Sequence, residues 1–209
     1  MTVVTSAKEQ FDRQAVHYNS QWAGWSDETL QRMLALADPQ YSWQVLDVAT
    51  GSGFTALAFA PLVSEVVGAD LSPGMLAQAA NRTREEGITN VSWVESPAEK
   101  LPFEDGAFDL VTVRIAPHHF TDIRAFLSET RRVLKPGGIF IVGDTTVPDA
   151  SSEAADWQNR VERERDSSHV ANLTPETWRS LTEAAGFTVT DLETGGGAIA
   201  ITLTPWLET

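Results

Sequence analysis

Short runs rich in valine and isoleucine alternate with helical segments through most of the chain. Five runs bounded by glycine, proline or aspartate are expected as strands, at residues 44–49, 64–70, 90–95, 108–114 and 138–144. Strands that alternate with helices form a parallel sheet covered on both faces. The pattern therefore predicts a doubly wound α/β fold, in which ligands bind at the carboxyl ends of the strands.

Several helix boundaries can also be predicted. Ser72 is a good N-cap with Pro73 after it, and Gly87 closes that helix. Apolar residues at helical spacing predict a second helix from Ile123 to the KPGG sequence. A third helix is expected after Thr174, and the FTVTDLET sequence that follows it predicts a further strand.

Length, charge and cysteine content narrow the function classes. One domain is expected from 209 residues with 42% hydrophobic content. No apolar run approaches the roughly 20 residues that span a bilayer. The absence of cysteine excludes disulfides and thiolate metal sites and fits a cytoplasmic location. A net charge of −14 would repel a phosphate backbone, so no nucleic-acid partner is expected.

The first predicted strand leads into a glycine-rich turn in the sequence VLDVATGSGFTALA. Its GSGFTA segment matches the dinucleotide fingerprint, which makes an NAD(P)-dependent oxidoreductase one hypothesis. Asp47 argues against it, because a carboxylate just before the turn would repel a pyrophosphate. The same acid would favour S-adenosylmethionine, which carries an ammonium and a sulfonium. Asp70, at the end of the second strand, suits either cofactor, since a carboxylate there accepts hydrogen bonds from both ribose hydroxyls.

Four segments taken together resemble the class I S-adenosylmethionine-dependent methyltransferases, particularly the ubiquinone/menaquinone-biosynthesis-like branch. In chain order they are VLDVATGSGFTALA, VVGADLSPGMLAQA, PAEKLPFEDGAFDLVTVRIAPHHF and RRVLKPGGIFIVGD. The resemblance is good over roughly residues 8 to 145 and looser outside them. It implies a Rossmann-like, mostly parallel sheet of the seven-stranded type with helices on both faces. The short C-terminus implies that the last strand is shortened or missing.

The resemblance also implies which residues surround S-adenosylmethionine. The methionine half would lie against the end of the first strand and the glycine turn, and the residues expected there are Asp47, Ala49, Thr50, Gly51 and Gly53. The ribose and adenine would be held by Asp70, Leu71, Met75, Ala98 and Glu99, with Arg114 on the methyl-transfer side. Pro97 stands where the family often has an acid, and proline has no backbone N–H to donate. Adenine recognition would therefore depend more on Ala98 and Glu99.

The opening segment looks like the family's first helix, which commonly folds over the cofactor. Phe11, Ala15 and Tyr18 share a helical face, with Trp22 one turn further. We expect Phe11 and Trp22 to pack onto the core. Tyr18 is expected at the cofactor, because a phenol hydroxyl suits a polar edge such as the methionine group.

Histidines supply the candidate catalytic groups. His118 and His119 follow the fourth strand, on the side of the cofactor where the resemblance places the methyl acceptor. Imidazole titrates near neutrality, so either one is a candidate base, with a structural hydrogen bond as the alternative role. A metal site with Asp122 is not expected, since neighbouring histidine side chains usually diverge. His17 and His169 are expected at the surface or in the cap.

A single domain with four regions is expected. They are an N-terminal helical cap (1–40), a cofactor-binding core (41–148), a substrate lid (149–173), and a C-terminal helix with strands (174–209). Trp157 and Val161 are four residues apart and would form a narrow apolar stripe inside the lid, with its charged residues in water.

Two alternatives stand beside a methyltransferase that modifies a carbon, oxygen or nitrogen atom of a small molecule. One is a module that binds S-adenosylmethionine or S-adenosylhomocysteine without turnover. The other is the NAD(P)-dependent oxidoreductase, which would need a tyrosine–lysine pair, whereas Tyr18 and Tyr41 both precede the glycine turn. A homodimer is a further hypothesis, because an apolar strand at 198–204 would leave an edge that invites pairing.

Overall fold

A computed structural model describes residues 6–22, 27–148 and 153–195, with side chains given for these ranges except 16–22 and 27. The strands are β1 (Gln44–Val48), β2 (Glu65–Asp70), β3 (Val91–Glu95), β4 (Phe108–Arg114) and β5 (Leu134–Gly143). The α-helices are α1 (Ala7–Trp22), α2 (Asp27–Ala37), α3 (Phe54–Phe59), α4 (Pro73–Glu85), α5 (Ile123–Val133), α6 (Glu153–Arg165) and α7 (Pro175–Ala184). Two short 3₁₀ helices occupy Ala60–Leu62 and Pro117–His119.

The five strands form one parallel sheet in the order β3-β2-β1-β4-β5. This confirms the predicted doubly wound, Rossmann-like fold with helices on both faces. The chain reverses direction across the sheet between β1 and β4, where such folds form their ligand crevice. The carboxyl ends of β1, β2 and β4 therefore lie side by side.

Each face of the sheet carries its own apolar core. Leu46 and Val111 point to one face, where they pack with residues from α5 and α7 such as Phe126 and Trp178. Their neighbours in sequence point to the other face, among residues of α2 and α3. This alternation of adjacent strand residues explains why the strands are apolar on both sides.

The predicted helix boundaries agree with the structure. Ser72 caps α4 by accepting a hydrogen bond from the backbone N–H of Met75, with Pro73 as the first helical residue. Thr174 caps α7 in the same way, through the N–H of Thr177. Among the helices described, none has the length and apolar character needed to cross a membrane.

Strand β5 begins earlier than expected. The KPGG sequence was predicted to separate α5 from the strand, but α5 ends at Val133 and β5 starts at Leu134. The proline and glycines are accommodated by a register shift opposite β4, between its residues Phe108 and Leu110. Such an irregularity lets an edge strand carry a proline without losing the rest of its pairing.

The predicted strand FTVTDLET is wrong. Residues 187–194 form no strand, and Glu193 instead accepts hydrogen bonds from Arg32 of α2. Alternating residues cannot make a strand without a neighbour to pair with, and the described sheet ends at β5 on this side. The strand predicted at 198–204 lies outside the described residues.

The apolar stripe predicted inside the lid is also wrong. Trp157 and Val161 of α6 are 57% and 41% exposed. Helix α6 instead attaches to the body through polar bonds, because Asn159 contacts the backbone of Asn172 on both its amide atoms. Ala155 is the apolar residue that α6 buries.

Candidate cofactor and acceptor site

The loop after β1 has an unusual backbone. Ala49, Gly51 and Gly53 have positive φ angles of 52°, 55° and 87°. A left-handed alanine costs roughly 1–2 kcal/mol, and such strain is concentrated at functional sites. A Cβ added to Gly51 would meet no atom within 4 Å, so the loop is open there. The glycine-rich turn predicted after β1 is therefore present, with an open and strained backbone.

Asp47 lies under this loop and is 1% exposed. Its carboxylate accepts hydrogen bonds from Thr50 Oγ1 at 2.5 Å and Thr112 Oγ1 at 2.8 Å. Burial raises the pKa of Asp47 to about 6, although these bonds and the charge of Arg114 act in the opposite direction. The expectation that Asp47 faces the cofactor is therefore corrected. It is placed to act through its charge and by holding the loop.

The raised pKa of Asp47 predicts a pH-dependent stability. Between pH 4 and 6 the folded state holds a proton that the unfolded chain releases, so this group's contribution to stability falls as pH rises and is constant above pH 6. A shift from 3.8 to about 6 corresponds to about 3 kcal/mol. We expect Asp47→Asn to gain stability relative to the natural chain across that range, as measured by urea unfolding from pH 4 to 7.5. A difference that does not change with pH would contradict the assignment.

Asp70 joins the glycine loop to the start of α4. Its Oδ2 accepts the backbone N–H of Gly51 at 2.7 Å, and its Oδ1 accepts that of Ser72 at 2.9 Å. Burial raises the pKa of Asp70, while these backbone bonds lower it. An ionised carboxylate has about four acceptor positions. The backbone N–H of Leu71 also acts on this carboxylate, so part of its acceptor capacity remains for a hydroxyl of a ligand.

The residues expected at the adenine follow the carboxyl ends of β2 and β3. Leu71 is 37% exposed, whereas Met75 of α4 is buried. Ala98 is buried, and Glu99 accepts a hydrogen bond from Thr121 Oγ1 at 3.4 Å. Leu71 therefore offers an apolar surface to a ligand, whereas the buried Met75 does not.

Arg114 is the last residue of β4, where it pairs with Gly143 of β5. Its Nε donates to Thr55 Oγ1 at 2.9 Å, and its charge acts on the buried Asp47. Arg114 thus lies between the first turn of α3 and the buried acid.

Helix α1 contacts both sides of the crevice through adjacent residues. Asp12 accepts hydrogen bonds from Ser72 Oγ and from the backbone N–H of Gly74, at the start of α4. The ring of Phe11 meets His119 edge-on at 5.0 Å. The Tyr18 side chain lies outside the described residues, as do those of His17 and Trp22. Helix α1 is thus tied to the start of α4 and to His119.

Three imidazoles form a histidine cluster at the ends of β4 and β5, consisting of His118, His119 and His169. The ring centroid of His118 lies 4.2 Å from that of His119 and 5.5 Å from that of His169. His118 Nδ1 lies 2.6 Å from Asp144 Oδ1. Within the described ranges, no set of three or more histidine or acidic side chains is arranged to hold a metal ion.

The other two imidazoles have neutral partners. His119 Nδ1 lies 3.1 Å from Ser168 Oγ, and His169 Nε2 lies 3.1 Å from Asn159 Oδ1. Burial lowers the pKa of both His119 and His169 to about 4, and the electrostatic effect of the nearby His118 is the second largest cause. Both are therefore uncharged at neutral pH.

Sequence patterns missed three parts of this site. His169 was expected at the surface or in the cap but is 5% exposed, because the segment after α6 folds back over the 3₁₀ helix. Asp12 gave no signal, since its partners are 60 residues away. Asp144 did have one: it directly follows β5, at the same edge of the sheet where Asp70 ends β2.

Comparison with known proteins places the chain among methyltransferases. A family profile described as a methyltransferase domain matches residues 46–142. YcgJ of Bacillus subtilis, named an uncharacterized methyltransferase, is 34% identical over 183 residues, which are 88% of this chain and 72% of YcgJ. The crystal structure of YcgJ superposes with a TM-score of 0.81, over 86% of this chain and 76% of that one.

Other relatives match over a smaller share of their length. The ubiquinone/menaquinone biosynthesis C-methyltransferase UbiE of Shewanella frigidimarina is 38% identical over 128 residues, 59% of this chain and 49% of UbiE. Haemonchus contortus phosphoethanolamine N-methyltransferase 2, solved with S-adenosyl-L-methionine, gives a TM-score of 0.73 at 24% identity. That match covers 88% of this chain and 45% of that enzyme, and it shows a shared fold.

Proposed function

This chain belongs to the S-adenosylmethionine-dependent methyltransferases, and on that premise we propose that it methylates a carbon, oxygen or nitrogen atom of a small organic molecule. The cofactor supplies a methyl group activated by a positively charged sulfur. An NAD(P)-dependent oxidoreductase is no longer a candidate. The chain's own contribution is to bind this cofactor, to orient the acceptor, and to accept a proton where the acceptor must lose one.

The Asp70 carboxylate is the observation that carries the proposal. It fixes the glycine loop through Gly51 and retains acceptor capacity, which suits the hydroxyls of a ribose. Asp12 and Asp47 add further negative charge near this point. A cofactor with a cationic sulfur and ammonium fits such surroundings, whereas a pyrophosphate would be repelled.

The cofactor residues are proposed with distinct roles. The open backbone of the glycine loop would lie against the methionine half, and Leu71 with Glu99 against the adenine. Tyr18 would lie at the methionine half and Arg114 on the methyl-transfer side. The complete proposed set is Tyr18, Asp47, Ala49, Thr50, Gly51, Gly53, Asp70, Leu71, Met75, Ala98, Glu99 and Arg114.

A small molecule is the proposed acceptor for two reasons. The net charge of −14 disfavours nucleic acid, and the UbiE relatives are named for C-methylation in quinone biosynthesis. The same proposal includes a cytoplasmic location, a cap over residues 1–40 and a lid over residues 149–173.

A homodimer is also proposed. Sedimentation velocity at high concentration tests the dimer, and a single monomer boundary would contradict it.

Turnover tests the proposed function directly. The full chain is incubated with methyl-labelled S-adenosylmethionine and a panel of phenols, quinols and amines, and products are measured by mass spectrometry. We expect labelled product and an equal amount of S-adenosylhomocysteine from at least one acceptor. Binding of the cofactor without turnover would favour the binding module, and label found only in added RNA would contradict a small acceptor.

His118 and His119 are the proposed candidates for accepting the acceptor's proton. A general base contributes about 10²- to 10⁴-fold to the rate. We expect alanine at the true base to lower kcat by such a factor, with the dissociation constant of S-adenosylhomocysteine changed less than about twofold. His118→Ala and His119→Ala are compared side by side by kinetics and calorimetry. Full activity in both variants would remove both histidines from the chemistry.

A further inference from the structure

We propose that Asp144 is a positioning residue, which fixes His118 with its proton on Nδ1 and leaves Nε2 to take the proton of the methyl acceptor. This inference rests on the proposed function and deepens it, because it selects His118 over His119 and adds a residue to the site. It follows from which atoms in the histidine cluster can donate a hydrogen bond and which can only accept one.

The bond between His118 and Asp144 assigns the tautomer of His118. The two side chains are 9% and 3% exposed, and 2.6 Å separates Nδ1 from Oδ1. An ionised carboxylate can only accept a hydrogen bond, so Nδ1 must be the donor. In its neutral form the imidazole carries one proton, and Nε2 of His118 is then the nitrogen with a free lone pair. The carboxylate also stabilises the imidazolium that forms when Nε2 takes a proton.

His119 has the same tautomer but lacks a charged partner. Ser168 Oγ lies 2.6 Å from Asp166 Oδ1, and it gives this carboxylate the single proton of its hydroxyl. Ser168 Oγ must then accept from His119 Nδ1, at 3.1 Å. Although burial acts to raise it, the bonds from Ser168 hold the pKa of Asp166 below its ordinary value. Asp166 is thus ionised but separated from His119 by a hydroxyl.

His169 has the opposite tautomer. Asn159 Oδ1 accepts the backbone N–H of Asn172 at 2.7 Å, which identifies this amide atom as oxygen. The oxygen must also accept from His169, so His169 donates through Nε2. Three groups from three segments therefore surround His118: Asp144 after β5, His119 in the 3₁₀ helix, and His169 after α6. Of these, Asp144 is the one whose side chain is a carboxylate.

These assignments define the step. The acceptor's O–H, N–H or acidic C–H bond breaks, and its proton goes to Nε2 of His118. The electron pair left on the acceptor atom forms the new bond to the methyl carbon, and the pair of the former carbon–sulfur bond stays on sulfur. The proton leaves His118 for solvent after the products depart. Asp144 stays ionised throughout and never carries the proton.

The first test needs no acceptor. Imidazole ¹⁵N spectra of the full chain, bound to S-adenosylhomocysteine near pH 7.5, report which nitrogen of each histidine carries the proton. We expect His118 to be protonated at Nδ1 in the natural chain. Asp144→Ala should remove that preference, and Asp144→Glu should restore part of it. A natural chain with His118 protonated at Nε2 would overturn the proposal.

The second test uses whichever acceptor the panel identifies. We expect Asp144→Ala to lower kcat by at least about tenfold, towards the 10²- to 10⁴-fold worth of a general base. The KM for S-adenosylmethionine should change less than about twofold, and Asp144→Glu should recover part of kcat. Unchanged kcat in Asp144→Ala would overturn the proposal.

A matched control separates positioning from general loss of stability. Asp109 is a partly buried acid on β4, at the opposite end of the strand from the histidine cluster, and pairs with Lys135. Asp109→Ala should lower stability without changing kcat or the His118 spectrum, and an equal loss of kcat would overturn the role of Asp144. If no acceptor is methylated by the natural chain, the proposed function fails. The imidazole spectra then decide on their own whether Asp144 sets the tautomer.

Discussion

Asp70→Ala is expected to weaken binding of S-adenosylmethionine and S-adenosylhomocysteine by about 10- to 100-fold. Hydrogen bonds to a charged group contribute roughly 1.5–3 kcal/mol, and the ribose would lose its bonding to this carboxylate. The loop would also lose its anchor, since the backbone N–H of Gly51 depends on the same carboxylate. Isothermal titration with both ligands measures the effect.

Two controls show which part of that loss belongs to the ribose. Asp70→Asn keeps the shape and one acceptor oxygen, so we expect an intermediate affinity. Glu65→Ala removes an exposed acid at the opposite end of the same strand and should leave affinity unchanged. Unchanged affinity in Asp70→Ala would show that the ribose lies elsewhere. An equal loss in Glu65→Ala would show that only the net charge matters.

The sheet was predictable because its determinants are local. Each strand is a short valine-rich run, and the ends of α4 and α7 are set by caps such as Ser72 and Thr174, which act within three residues of themselves. The acids at strand ends were equally visible, because parallel strands bring their carboxyl ends to one edge. The position of Asp47 and Asp70 at this edge of the sheet could therefore be predicted from the sequence.

The missed features depend on contacts between distant segments. His169 lies in a charged stretch that looks solvated, and its burial follows from the backbone bonds that Val170 and Ala171 make to His118. The inward turn of Asp47 depends on Thr112, 65 residues away. The strand predicted at residues 187–194 was wrong for a related reason: alternating residues are typical of a strand, but they do not supply the neighbouring strand with which it must pair. Periodicity cannot report such pairings.

Gly53→Ala is expected to lower the free energy of unfolding by about 2–5 kcal/mol. A left-handed φ of 87° costs an alanine roughly 1–2 kcal/mol. The new Cβ would also lie 2.7 Å from Trp93 Cη2 and 3.1 Å from the Cβ of Ala79 in α4. Overpacking of this kind adds roughly 1–3 kcal/mol. Urea unfolding measures the total.

Gly186 separates the two contributions, because its φ of 89° matches that of Gly53 and a Cβ there would meet no atom within 4 Å. We expect Gly186→Ala to show only the backbone part, about 1–2 kcal/mol. Adding Trp93→Leu to Gly53→Ala should recover part of the steric loss, since the indole is the nearest obstacle. Equal losses in Gly53→Ala and Gly186→Ala would mean that Trp93 moves aside freely. A larger loss in Gly53→Ala would mean that the Trp93 indole cannot move aside. The indole lies against both Gly53 and Gly68 and would then set the distance between the glycine loop and the sheet.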